Sequence, residues 1–238
     1  MNASVKSAKD GEQVASRALC GLASRRMRWG LTWRGRFLAA LVVVAALVAT
    51  LRFVHPFLAV TDRVPADVLI VEGWAPPSTM KDAADEFLSG GYKRLILMRP
   101  ILADPDKYAS GRYNGDYVMN LLLQDGVPKD KAVSLFPIVA NKDRTFHSAL
   151  DAKRWLAEQG MVVKSIDVAT VGPHARRSRL MYQKAFGDDV KIGIISMPDR
   201  AYDPAHWWRS SEGVRDVLGE IIAYCYARFL FSASNENA

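Results

Sequence analysis

The chain has 238 residues, half of them hydrophobic and 24% charged, with a formal net charge of +7 and two cysteines. That length allows a domain with its own core, and so few thiols exclude a disulfide scaffold and a zinc site built on paired CxxC or Cys/His spacings. The positive balance is local: residues 1–36 hold eight Lys or Arg against Asp10 and Glu12, so +6 of the +7 belongs to this tail.

Phe37 to Leu51 read FLAALVVVAALVATL without a charge, and the apolar character continues to Val60, broken by Arg52, His55 and Pro56. About 20 mostly apolar residues cross a bilayer, so 37–60 is expected to be a transmembrane anchor, with Arg52 snorkelling to headgroups and His55 at the interface. Five arginines lie in the dozen residues before the span, and only Arg52 and Arg63 follow closely. The positive-inside rule then places the N-terminus in the cytoplasm and exports the C-terminal domain. The partner of the basic tail is thus the lipid bilayer, not nucleic acid. A cleaved signal peptide fits less well, because its n-region is much shorter than 36 residues and no strong A-x-A follows the core. A buried core helix fits the length but not the arginine-rich flank.

From Asp67 the chain alternates short apolar runs with amphipathic ones. Asp67–Glu72 reads as a buried strand. Gly73-Trp74-Ala75-Pro76-Pro77 breaks it, and Ser78 caps a helix to Ser89 that Gly90-Gly91 ends. Arg94–Met98 is the second strand. A polar loop with Pro100, Asp104, Pro105 and Gly111 leads to a helix over about Tyr113–Gln124. Ala132–Phe136 is a third strand, followed by a helix over Thr145–Gln159. Ser165–Val171 is the fourth strand, stopped at Gly172-Pro173, and a helix runs from His174 to Phe186. Val190–Ser196 is the fifth, and a last helix spans Trp207–Phe231. Strands alternating with helices predict a three-layer, Rossmann-like α/β domain over 61–231 with a mostly parallel five-stranded sheet, and a disordered tail at 232–238.

Ligands of such sheets bind beyond the carboxyl ends of the strands, at the switch in strand order. Three loops qualify: Glu72-Gly73-Trp74, Asn141 to His147, and Gly172 to Arg179. A flavodoxin-like strand order brings all three together, whereas a 3-2-1-4-5 order leaves the second apart. His174 opens a helix, where free N–H groups favour an anion, and Arg176, Arg177 and Arg179 add guanidinium forks. Successive helix positions differ by about 100°, so Arg177, one i,i+3 step on, shares the His174 face. In the second loop Asp143 or Thr145 caps a helix, while Arg144, Thr145 and His147 can meet an anionic ligand. Glu72 at a strand end can act as a general base, bind a sugar hydroxyl or pair with one of the arginines. His206-Trp207-Trp208 reads as core packing with one partly exposed ring, or as aromatics at the headgroup level. No metal site is expected, since the histidines lack HExxH or HxH pairing. No cofactor is assigned: GxGxxG after strand one, a P-loop and a GxSxG elbow are all missing.

The order of these elements resembles the YdcF-like (DUF218) domain family (the ElyC/SanA/YdcF group). The resemblance is carried by Ala66–Val71, Gly73, the Gly126-Val127-Pro128 turn, the segment ending in Thr145, and His174-Ala175-Arg176-Arg177. It implies a Rossmann-like domain in the bacterial periplasm behind one helix of the inner membrane, and a role in cell-envelope or peptidoglycan precursor metabolism. It also implies site status for Gly73, Thr145, His174 and Arg177. The chain departs from the family in a first loop with a single glycine, and in His147 and Ser148 where glutamate and asparagine are usual.

The expected function is an envelope enzyme acting on an anionic small molecule or lipid-linked ligand. Its catalytic residues are His174, an imidazole suited to acid–base work near neutrality, and Glu72. Gly73, Trp74, Arg144, Thr145, His147, Arg176 and Arg177 bind the ligand. The alternative is a non-catalytic binding or scaffold module. A methyltransferase with a nucleoside cofactor is weaker, because the first strand lacks its glycine-rich turn.

Overall fold

A computed structural model of the chain describes residues 31–99, 115–136 and 142–233. The basic tail to residue 30, the polar loop around Asp104, Asn141 and residues 234–238 lie outside the described residues. The chain divides into two compact units, Met1–Leu47 and Val48–Ala238.

Helix α1 (Trp33–Leu58) has 26 residues and a mean hydropathy of 2.5 over its apolar window, with none of that window buried. At about 1.5 Å per residue it is long and apolar enough to cross a membrane. It starts earlier and stops sooner than the apolar run alone suggested. His55, expected at the membrane interface, is buried, with its Nε2 3.2 Å from the Tyr202 hydroxyl.

The second unit is a three-layer α/β domain. Its elements are β1 (Val68–Glu72), α2 (Met80–Ser89), β2 (Arg94–Met98), α3 (Gly115–Gln124), β3 (Ala132–Leu135), α4 (Arg144–Glu158), β4 (Ser165–Val171), α5 (Ala175–Phe186), β5 (Lys191–Met197) and α6 (Ser211–Phe229). The five strands are all parallel in the order β3-β2-β1-β4-β5. All five β1 residues are buried, as a central strand covered on both faces requires. Right-handed crossovers put α2 and α3 on one face and α4 and α5 on the other, because the chain reverses its direction of travel between β3 and β4. Two apolar clusters result. Leu69, Val71, Leu95 and Leu97 meet α2 and α3, whereas Val68, Ile70, Ile96 and Val168 meet α4 and α5.

Two helix starts differ from the expectation. A 3-10 turn (Pro77–Thr79) precedes α2, and the Thr79 hydroxyl donates to the Pro76 carbonyl at 2.7 Å, so Ser78 caps nothing. The last helix is broken: a 3-10 segment (Pro204–Arg209) ends at Ser210, whose hydroxyl accepts from the Gly213 N–H at 3.0 Å and starts α6 afresh. Gly213 packs so tightly that a Cβ there would lie 2.3 Å from the Trp207 carbonyl oxygen.

The segment between α1 and β1 is tied to the sheet. Asp62 forms an antiparallel bridge with Ile194, which covers part of the outer edge of β5 and blunts it for pairing with other chains. Val64 N–H donates to Asp167 Oδ1 at 3.1 Å, and the Tyr92 hydroxyl donates to Asp167 Oδ2 at 2.7 Å. Burial pushes the Asp167 carboxyl up despite these bonds. The neighbour across the strand must be glycine, because a Cβ on Gly193 would lie 1.7 Å from Asp167 Oδ1.

Candidate functional site

β1 lies between β2 and β4, so the strand order reverses at its carboxyl end, where a crevice of about 950 Å³ opens. That volume suits a small-molecule ligand. Glu72, the last residue of β1, forms the floor and is 3% exposed. Its Oε2 accepts from the Thr170 hydroxyl of β4 at 2.6 Å and the Trp74 indole at 3.1 Å, and the Ser178 hydroxyl of α5 reaches both its oxygens at 3.0–3.1 Å. A buried carboxyl needs such partners. Glu72 is therefore a held group with three donors, not an arginine partner. One turn beyond Ser178, the buried Tyr182 hydroxyl has no partner among the described residues; burial, with the nearby Glu72, holds its phenol well above the usual range.

His174 ends a 3-10 turn (Gly172–His174) that leads from β4 into α5. Gly172 makes this turn with a φ of 49°, a conformation glycine adopts without strain. The His174 ring stands between two carboxylates. Its Nδ1 lies 2.7 Å from Glu220 Oε1, and its Nε2 lies 3.8 Å from Glu72 Oε2. The Trp74 ring meets it edge-on, with centroids 4.4 Å apart. Arg177 shares this face, as the i,i+3 spacing predicted, with its Nη2 2.9 Å from both ring nitrogens. Arg177 also clasps Glu220 through Nε and Nη2, at 2.8 and 3.1 Å, and donates from Nη1 to the Thr145 hydroxyl at 3.3 Å.

Glu220, on α6, is the site residue that sequence reasoning missed. Burial alone would push its carboxyl up, but hydrogen bonds and charge from His174 and Arg177 outweigh this and hold it at about 2. A signal was present. Glu220 lies three residues after Val217 and seven before Ala227, both buried, so this helix turns a carboxylate towards its buried side.

The 3-2-1-4-5 order does not leave the second loop apart. The crossover from β3 to β4 passes back over β2 and β1, and α4 packs on β2 and α5. Its first turn thereby reaches the crevice, where Arg144, Thr145 and Ser148 join His174 and Arg177 in the lining. Asp143 does not cap α4; its backbone is left-handed, with φ 48°, and its Oδ2 accepts from the Tyr226 hydroxyl at 3.4 Å. Asp143 is the one non-glycine residue with positive φ among the described residues, and strain of this kind gathers at functional sites.

Three expected ligand residues are not in the crevice lining. Arg176 turns about 100° from Arg177, donates from Nε to the Phe57 carbonyl and lies 4.0 Å over the Phe57 ring. His147 packs edge-on against Phe146 with ring centroids 5.8 Å apart, and it is not part of the crevice lining. Gly73 shapes the loop: its N–H donates to the Met98 carbonyl at 2.7 Å, and a Cβ there would lie 2.5 Å from that oxygen.

The crevice walls carry both signs. Glu72, Asp143, Asp199, Asp216 and Glu220 face Arg99, Arg144, Arg177 and Arg215, with His174 among them. No group of three or more His, Cys, Asp or Glu suited to a metal ion occurs among the described residues. Fold and site together define a parallel-sheet α/β protein with a charged crevice at its switch point and one N-terminal helix apolar enough to span a membrane. No family model and no curated protein matches the chain.

Proposed function

We propose that the chain is a single-pass envelope protein of the YdcF-like kind, with its N-terminus in the bacterial cytoplasm. Its exported domain performs acid–base chemistry on an anionic, phosphorylated ligand of envelope or peptidoglycan precursor metabolism. The observation that carries this reading is the His174 ring fixed between Glu220 and Glu72 at the mouth of a ligand-sized crevice. A carboxylate on Nδ1 fixes the ring's orientation, and Nε2, 2.9 Å from Arg177 Nη2 and 3.8 Å from Glu72 Oε2, is the end that takes or gives a proton. Carboxylates on both sides suit a ring that gains positive charge as the reaction proceeds. Arg144 and Arg177 line the same wall and give it positive charge that favours an anion. The arginine-rich flank before α1 supports the orientation, and the resemblance carried by Gly73, Thr145, His174 and Arg177 supports the kind.

A second reading, a non-catalytic binding module, draws on a different observation. Glu72 and Arg177 are already held by neighbouring side chains, which makes a rigid binding wall as well as a reactive one.

The anion is tested by thermal shift on the full chain in detergent micelles, with a short polyprenyl phosphate and a nucleotide as probes. At a hundredfold excess over Kd a bound ligand stabilises by about 2.7 kcal/mol. We expect the polyprenyl phosphate to raise the midpoint, Arg144→Ala to lose most of that rise, and His174→Ala to keep most of it. A rise that Arg144→Ala leaves intact, or no rise with either probe, contradicts the anion reading.

A further inference from the structure

The site is made by two helices that do not follow one another in the sheet. His174 and Arg177 come from the start of α5, and Glu220 comes from α6. Both helices rest on the same third element, the last two turns of α1. On the α6 side, Leu58 is 1% exposed in a cluster with Val217, Tyr202 and Trp207, the Phe57 ring meets Tyr224 edge-on at 5.8 Å, and the Trp207 indole donates to the Leu51 carbonyl at 3.0 Å. On the α5 side, Arg176 donates to the Phe57 carbonyl and covers its ring.

The positions of these contacts matter. Val217 and Tyr224 stand three residues before and four after Glu220, so they lie within about 60° of it around α6. Arg176 is the residue next to Arg177. Each half of the site is thus braced within one helical turn of the group that does the pairing. Such contacts fix each helix against α1, and the bond from His174 to Glu220 depends on the spacing of α5 and α6.

We propose that Leu51–Leu58 are a positioning element of the site: the anchor helix holds α5 and α6 in the register that joins His174 to Glu220. The apolar helix then does more than tether the domain. Its end braces the helices that build the crevice, with Phe57 and Leu58 as positioning residues. The inference rests on the reading of His174 as the working group, but its test reads geometry and not turnover.

The chain has four histidines, so selective ¹⁵N-histidine labelling of the full chain in micelles resolves the His174 ring, assigned by His174→Ala. A ring held at Nδ1 by Glu220 has a fixed tautomer, visible in the separation of its two nitrogen shifts, and Glu220→Gln marks the released position. Leu58→Ala and Arg176→Ala are expected to move the His174 signals most of the way to that position. Leu122→Ala, which empties an equally buried site under α3, is expected to lower stability without moving them. Should Leu58→Ala unfold the chain, Arg176→Ala, at a half-buried side chain, decides alone. Unchanged His174 signals in the variants that stay folded, or an equal movement in Leu122→Ala, overturn the proposal. A loss of His174 dependence in function with the signals intact counts against the acid–base reading instead.

Discussion

Arg177→Ala is expected to destabilise the full chain by about 2–3 kcal/mol, because it strands a carboxylate that the fold has taken out of water. Arg177 gives Glu220 two of its hydrogen bonds, at 2.8 and 3.1 Å, and both side chains are less than one-fifth exposed. Removing one partner of such a pair leaves the other's desolvation uncompensated, a larger loss than the pair's net worth. At this chain length the cost corresponds to a fall of roughly 5–10 °C in the unfolding midpoint. Glu220→Gln added to Arg177→Ala removes the stranded charge, so the double variant should be more stable than Arg177→Ala alone. Denaturant unfolding of the four species in micelles measures this coupling. Simple addition of the two single costs contradicts it.

The second large effect concerns acid. Glu220 ionises at about 2 in the folded chain against an ordinary value of 4.5. A depressed carboxylate adds stability that is fully present above the unfolded value and is lost as pH falls through the folded one. The window is therefore between about pH 4.5 and pH 2, and the size is about 3 kcal/mol. In unfolding measurements from pH 6 to pH 2.5, the advantage of the wild-type chain over Glu220→Gln should shrink steadily through that window. A difference that stays constant with pH contradicts the account of how His174 and Arg177 hold this group. Asp167 behaves oppositely. Its carboxyl is raised by burial, so the cost of ionising it eases as pH falls.

Much of the fold was legible because the strands are short, β-branched and bounded by glycine or proline. Val68–Glu72 and Ser165–Val171 fall where their apolar runs and breakers put them. Helix starts were less legible. Ser78 and Asp143 carry the side chains of caps, yet Thr79 bonds back to Pro76, and Asp143 turns towards Tyr226 with a left-handed backbone. Composition gives a capping residue its chance, and tertiary packing decides whether it is used.

The site was half legible. The i,i+3 step from His174 to Arg177 is a local fact, so the sequence contains it, and the same rotation explains why Arg176 points to Phe57 instead. The arrival of Thr145 depends on a crossover that spans two strands, and the arrival of Glu220 depends on how α6 packs. Neither can be read from spacing within one element. Glu220 was nonetheless detectable in principle, as a carboxylate beside the apolar positions of its helix, between Val217 and Ala227.

On the proposed reading His174, oriented by Glu220 above Glu72, is the group that works in this crevice. The most direct measurement is complementation of a strain lacking the gene, scored on its envelope phenotype, with His174→Ala expressed at the wild-type level in the membrane. This variant is expected to fail to complement while its thermal shift with polyprenyl phosphate persists. Full complementation by His174→Ala would contradict it, and would leave the crevice as a binding wall.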